Sequence, residues 1–313
     1  MPRSLLPATL TLLTAMPALA EVPTVVADLP VAQSLTAQVM GELGTPDLLL
    51  DRSADPHHAQ LRPSQARAVA NADLVIWTSA ALSPWMAEVV DSLAEGATLE
   101  LATVDGTRHA PFADGAMFEA GDDDHDHDDH DHDHDSDTAD AYDPHLWLEP
   151  ANAAVWLDAI AGQLAAMDPE HAETYAENAR AAAAQLEGLR AEIGQILQPV
   201  GDAGLIMHHN AYGYFARAFG LNVLGTVTGG DAADPGAARI AALRHDLQDA
   251  GAVCIFPEGN HPSGFVALVA EGTDMRIGAP LDPAGMLGEP GPDLYAQTMR
   301  GLAQVIADCV AGD

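Results

Sequence analysis

Carboxylates and imidazoles, side chains that suit divalent cations, crowd one stretch of this sequence. Asp122–Asp137 reads DDDHDHDDHDHDHDSD and contains His125, His127, His130, His132 and His134. The tract has no apolar residue to offset the entropy of ordering, so it is expected as a solvated loop. An acidic low-complexity loop would account for the aspartates alone, whereas the interleaved histidines point to metal collection. The other nine histidines are His57, His58, His109, His145, His171, His208, His209, His245 and His261. Several fall where a strand is predicted to end. His57 and His58 follow Asp55-Pro56 beyond Leu48–Leu50, His208 and His209 close a strand that begins at Leu205, and Asp282 follows Arg276–Ala279. Open parallel sheets bind ligands beyond the carboxyl ends of their strands. Two sheets with facing carboxyl edges would bring these groups into one cleft. Taken singly, each histidine reads better as a hydrogen-bonded surface residue.

The elements that must position them alternate in type. Strands are predicted at Thr24–Ala27, Asp47–Leu50, Leu74–Trp77 and Thr98–Leu101, with helices at 31–41, 63–70 and 84–93 between them. That order implies βα units on a mostly parallel sheet. After the acidic tract the pattern resumes at Asp143, and residues 149–197 read as almost entirely helical. Asp168-Pro169 marks a break, with Asp168 as N-cap and Pro169 at the first helical position. A second βα series follows Pro199, with strands at Leu205–His208, Asn222–Val227, Ala252–Phe256 and Arg276–Ala279 and a closing helix from Pro292 to Val310. The fold class expected is α/β, two lobes each with a mostly parallel sheet flanked by helices. One long rigid helix, 169–198, should join an N-terminal lobe at 21–168 to a C-terminal lobe at 199–313. Trp77, Trp85, Trp147 and Trp156 read as core or interlobe packing.

Bulk properties exclude several functions. The 313 residues carry a formal charge of −35, and without the ten aspartates of the acidic tract it is still about −25. Nucleic acid and anionic membrane, which need basic patches, are poor partners. All 12 basic residues are arginine, which removes Schiff-base chemistry and any P-loop lysine. Arg3, the apolar run Leu5–Leu13 and Ala18-Leu19-Ala20 form an export signal over residues 1–20, with cleavage expected before Glu21. The only cysteines are Cys254 and Cys309. In an oxidising compartment they read as a disulfide, worth ~4 kcal/mol in the chain-entropy model, and otherwise as two small buried hydrophobes.

Four segments carry a resemblance. Pro56-His57-His58-Ala59-Gln60-Leu61-Arg62-Pro63-Ser64 with Ala72-Asp73-Leu74-Val75, Asp143-Pro144-His145-Leu146-Trp147-Leu148, His209-Asn210-Ala211-Tyr212-Gly213-Tyr214-Phe215, and Leu281-Asp282-Pro283 with Gly285 stand in this order. They resemble the ligand segments of the cluster A-I solute-binding proteins of ABC transporters, the ZnuA-like zinc and manganese receptors, and look close to the AztC type. The resemblance implies His57, His145, His209 and Asp282 as metal ligands, preferring His57 over His58 and His209 over His208. It departs at Asn210, where the family commonly has aspartate. It further implies that Glu258, in Phe256-Pro257-Glu258, lines the cleft or hydrogen-bonds a ligand imidazole, and that a Cys254–Cys309 bridge runs from a strand to the last helix.

Three imidazoles and a carboxylate suit tetrahedral Zn²⁺, whereas manganese-binding relatives have glutamate at the third position. The function implied is a monomeric periplasmic zinc receptor that feeds a membrane ABC permease for zinc import, with a zinc-donating periplasmic chaperone as an upstream partner. Binding should weaken in acid, because ligand imidazoles must be neutral. The alternatives are a manganese receptor of the same family, an exported zinc buffer relying on the acidic tract, and an exported zinc hydrolase. The hydrolase is disfavoured, since HExxH is missing and four protein ligands would close the site.

Overall fold

The structure, a computed structural model, describes residues 22–50, 54–113, 142–228, 236–259, 261 and 264–312. The expected export signal and the five-histidine tract at 122–137 lie outside the described residues.

Two four-stranded parallel sheets are built in the same order. Strands β1 (Val25–Ala27), β2 (Asp47–Leu48), β3 (Leu74–Trp77) and β4 (Ala97–Glu100) pair as β2-β1-β3-β4. Strands β5 (Gly204–Met207), β6 (Asn222–Thr226), β7 (Ala252–Ile255) and β8 (Arg276–Ile277) pair as β6-β5-β7-β8, again parallel throughout. Helices α1 (Pro30–Met40), α2 (Pro63–Asn71) and α3 (Pro84–Leu93) serve the first sheet. Helices α4 (Pro150–Met167) and α5 (Ala172–Leu197) follow, and α6 (Gly213–Phe219), α7 (Ala237–Ala250), α8 (Gly264–Ala270) and α9 (Leu294–Ala311) belong to the second half.

Pleating divides each central strand between two cores, because alternate side chains leave opposite faces. Val25, Ala27, Leu74 and Ile76 join a cluster that also takes Leu205, Met207, Cys254 and Phe256 from the second sheet. The same cluster contains Leu35 of α1, Trp156 of α4, Leu186 of α5 and Tyr295 of α9. Val26, Val75 and Trp77 face a separate cluster with Met86. Ile206 and Ile255 face another with Leu243 and Val266. One continuous core therefore runs through both halves, and only the outer faces of the sheets are local to a lobe.

The long connector begins with a 3-10 turn at Pro169–His171 and ends with another at Gln198–Val200, so its α-helical part is shorter than 169–198. Asp168 heads the first turn, but its carboxylate does not cap a backbone N–H. It accepts instead from His171 Nδ1 at 2.7 Å and Tyr175 Oη at 2.9 Å, pinning the α4–α5 corner. Cys254 and Cys309 form a disulfide that ties β7 to α9.

Candidate metal centre

Both sheets send chemistry-bearing loops from their carboxyl ends into a common cleft. Past β2 the chain turns at Asp55-Pro56-His57. Past β5 it reaches His208 and His209, and past β7 it reaches Glu258. Past β8 it reaches Asp282, which a parallel bridge between Glu258 and Leu281 holds beside the β7 loop. His145 comes from outside the sheets, just before a 3-10 turn at Leu146–Leu148 that leads into α4.

Within the cleft His57, His145 and His209 offer ring nitrogens that all lie within 4.8 Å of one another. Their ring centroids are separated by 5.1 Å (His145 to His209), 5.5 Å (His57 to His145) and 6.4 Å (His57 to His209). The cavity they share with Asp282 measures about 40 Å³. That is room for an ion, far below the several hundred Å³ of an organic-ligand pocket.

Two buried carboxylates orient two of the rings. His209 Nδ1 donates to Glu258 Oε1 at 2.6 Å, and Tyr212 Oη donates to the same oxygen at 3.1 Å. Burial works to raise the Glu258 carboxyl, but His209 and the nearby His208 and His261 outweigh it and hold it below its usual range. Glu258 is therefore ionised, Nδ1 of His209 carries the proton, and Nε2 presents its lone pair. At His145, Nδ1 pairs with Asp143 Oδ1 at 2.8 Å, and the His145 backbone N–H donates to that oxygen at 3.0 Å. Burial pushes the Asp143 carboxyl up to about 7, against that backbone N–H and the charges of Arg217 and His209.

His145 Nε2 and His209 Nε2 face each other at 3.3 Å. Two nitrogens on a tetrahedral zinc, each ~2.05 Å from it, stand about 3.3 Å apart. Two ring nitrogens at that spacing suit a shared cation. Gly213 makes part of this possible, since a Cβ there would lie 2.9 Å from Asp143 Oδ2.

The remaining expected residues divide. Asp282 lines the same cavity, but its carboxylate accepts from the Met286 and Leu287 backbone N–H groups at 2.8 and 2.9 Å, and it stands apart from the close trio of imidazoles. Burial raises its carboxyl, and the neighbouring charge of Glu258 adds to that. His58 turns outward, its side chain 68% exposed and its Nδ1 3.0 Å from Asp55 Oδ2. His208 stacks on His261 with centroids 4.8 Å apart. Sequence reasoning gave no role to Asp143. The signal was available, because Asp-Pro-His occurs twice, each time with the aspartate two residues before a candidate ligand.

The family profile described as "ZnuA: Zinc-uptake complex component A periplasmic" matches residues 25–309. The high-affinity zinc uptake system protein ZnuA of Paracoccus denitrificans is 44% identical over 310 residues, covering 96% of this chain and 95% of its own length. Its namesake from Brucella suis is 36% identical, with 92% and 91% covered. Among solved structures, a crystal structure of ZnuA superposes with a TM-score of 0.73 at 22% identity, over 91% of this chain and 98% of its own. The Pseudomonas aeruginosa protein FpvC, solved with Mn²⁺, gives 0.74 at 20% identity over 93% and 98%. A zinc-bound ZnuA deletion mutant and the manganese-bound FpvC share this fold, so the choice of metal has to come from the side chains.

Proposed function

The chain belongs to the ZnuA family, the periplasmic component of zinc-uptake complexes, and from that premise we propose that it captures one Zn²⁺ between its lobes and delivers it to a membrane ABC permease. His57, His145 and His209 supply three imidazole nitrogens, and Asp282 completes the set as a carboxylate. The observation that carries this reading is the pair of Nε2 atoms 3.3 Å apart, each backed by a buried carboxylate. Three imidazoles make a borderline donor set that suits zinc better than manganese.

The protein acts as a binding receptor. A cavity of about 40 Å³ supports that reading, since it is sized for an ion rather than an organic substrate. Export removes residues 1–20, residues 21–168 and 199–313 act as the two lobes, and 169–198 works as a stiff strut between them. The monomer is the working form, and the histidines of 122–137 gather zinc or accept it from a donor chaperone.

A chelator-competition titration of the full chain and of a 122–137 deletion tests this. One tight zinc site surviving the deletion is expected. Loss of all tight binding would make the protein a buffer built on its acidic tract. Anomalous scattering from a zinc-soaked crystal would identify the ligands, and a metal peak away from His57, His145 and His209 would overturn the assignment.

A further inference from the structure

The turn that carries His57 lies in a long connection between β2 and α2 that contains no strand or helix among its described residues. Asp55 organises it from within, accepting from the His57 backbone N–H at 2.9 Å and pairing with His58 at 3.0 Å. Those bonds travel with the turn and do not locate it against the cleft. Two others reach outside it. The Pro56 carbonyl, one residue before His57, accepts from Ser83 Oγ at 2.7 Å and from Trp85 Nε1 at 2.8 Å.

Both donors sit at the start of α3. Ser83 holds the N-cap position and is 2% exposed, yet its side chain caps no backbone N–H of the helix. A serine there ordinarily accepts from the first turn, a bond worth ~1 kcal/mol. Here the hydroxyl is turned to Pro56 instead, and a local rule broken in this way marks a functional constraint. Trp85 is half-buried and packs against both the shared core and the outer core of the first sheet, so its indole N–H projects from a fixed platform. An indole nitrogen can only donate, which directs it to a carbonyl.

We propose that Ser83 and Trp85 are positioning residues for metal capture, clamping the Pro56 carbonyl so that the His57 ring meets His145 and His209. This rests on the reading of His57 as a ligand. The test is a double-mutant cycle on the full chain, with zinc affinity measured by chelator competition. Ser83→Ala and Trp85→Phe should each weaken zinc about three- to tenfold, the size expected for one lost hydrogen bond. In a His57→Ala background neither should change affinity further, whereas a general loss of packing would weaken binding in both backgrounds. Equal effects in the two backgrounds, or no effect in either, overturn the proposal while leaving His57 as a ligand. If His57→Ala alone binds zinc as tightly as the parent, the ligand reading itself fails. Should Trp85→Phe fold poorly, Ser83→Ala carries the cycle unaided.

Discussion

Asp55-Pro56-His57 and Asp143-Pro144-His145 are one three-residue motif used twice, and the two copies end in different states. In each the aspartate Oδ1 accepts from the histidine backbone N–H, at 2.9 Å in the first and 3.0 Å in the second. There the likeness stops. Asp143 is completely buried and also holds its own histidine's ring through Nδ1. Asp55 gives its second oxygen to His58, the residue that stands where the other copy has Leu146. A motif thus fixes a backbone turn, but burial and the next residue decide whether the carboxylate also aims the ring. The first copy borrows its anchorage from α3, and the second carries its own.

Experiments can break this contrast at several strengths. The largest effect should come from the ring itself. His145→Ala or His209→Ala should lower zinc affinity by more than the ~10–100-fold typical of losing an outer partner, with the circular dichroism of the fold unchanged. Unaltered affinity in the competition titration would remove that residue from the site. Next, Asp143→Ala should weaken zinc by ~10–100-fold, and Asp55→Ala by only about threefold, since Asp55 steadies a backbone but not the ligand ring. Equal losses would mean that the two copies work alike after all. Smaller still, His58→Leu makes the first copy read like the second, and zinc affinity should stay within about twofold because the outward ring of His58 contributes little.

A separate test is one of pH. Asp143 sits at about 7 when folded, against an ordinary 3.8. A group raised in this way stabilises the fold fully below its ordinary value and loses that contribution as pH rises through its folded value. Asp28, buried beyond β1 and raised to about 6 by desolvation despite hydrogen bonds from Thr78 and Leu29, has the same sign but stands outside the imidazole cluster. Melting curves of the zinc-free protein should therefore show a loss of stability continuing up to about pH 7. Asp143→Asn should abolish the upper part of that loss and keep the part that ends near 6. An unchanged profile in the variant would assign the slope to other groups.

Much of this architecture was legible beforehand. Leu74–Trp77 and Pro84–Leu93 have the bounds that periodicity and proline placement predict, and the remaining strands differ by a residue or two at their ends. The two βα series emerge with one strand order, as their shared alternation suggested. His57, His145 and His209 came from segment resemblance, since spacing alone cannot choose between neighbours in a His-His pair. The structure turns His58 outward and stacks His208 on His261. Asp143 was within reach through the repeated Asp-Pro-His, whereas Ser83 and Trp85 stayed hidden because their roles depend on contacts across 27 and 29 residues that carry no sequence period. The shared core was equally invisible, as two similar series read naturally as two self-contained units.

That shared core has a consequence for how the receptor signals. When Leu205 and Phe256 of one half pack in the same cluster as Val25 and Trp156 of the other, swinging the halves apart would expose one large apolar interior. A shared core of this kind disfavours a wide swing of the halves. The groups that can respond to an ion are then the loops that rim the cleft, where His57 and Asp282 line the cavity. The message is local, carried by a few side chains, and the body of the protein serves as the rigid page on which it is written.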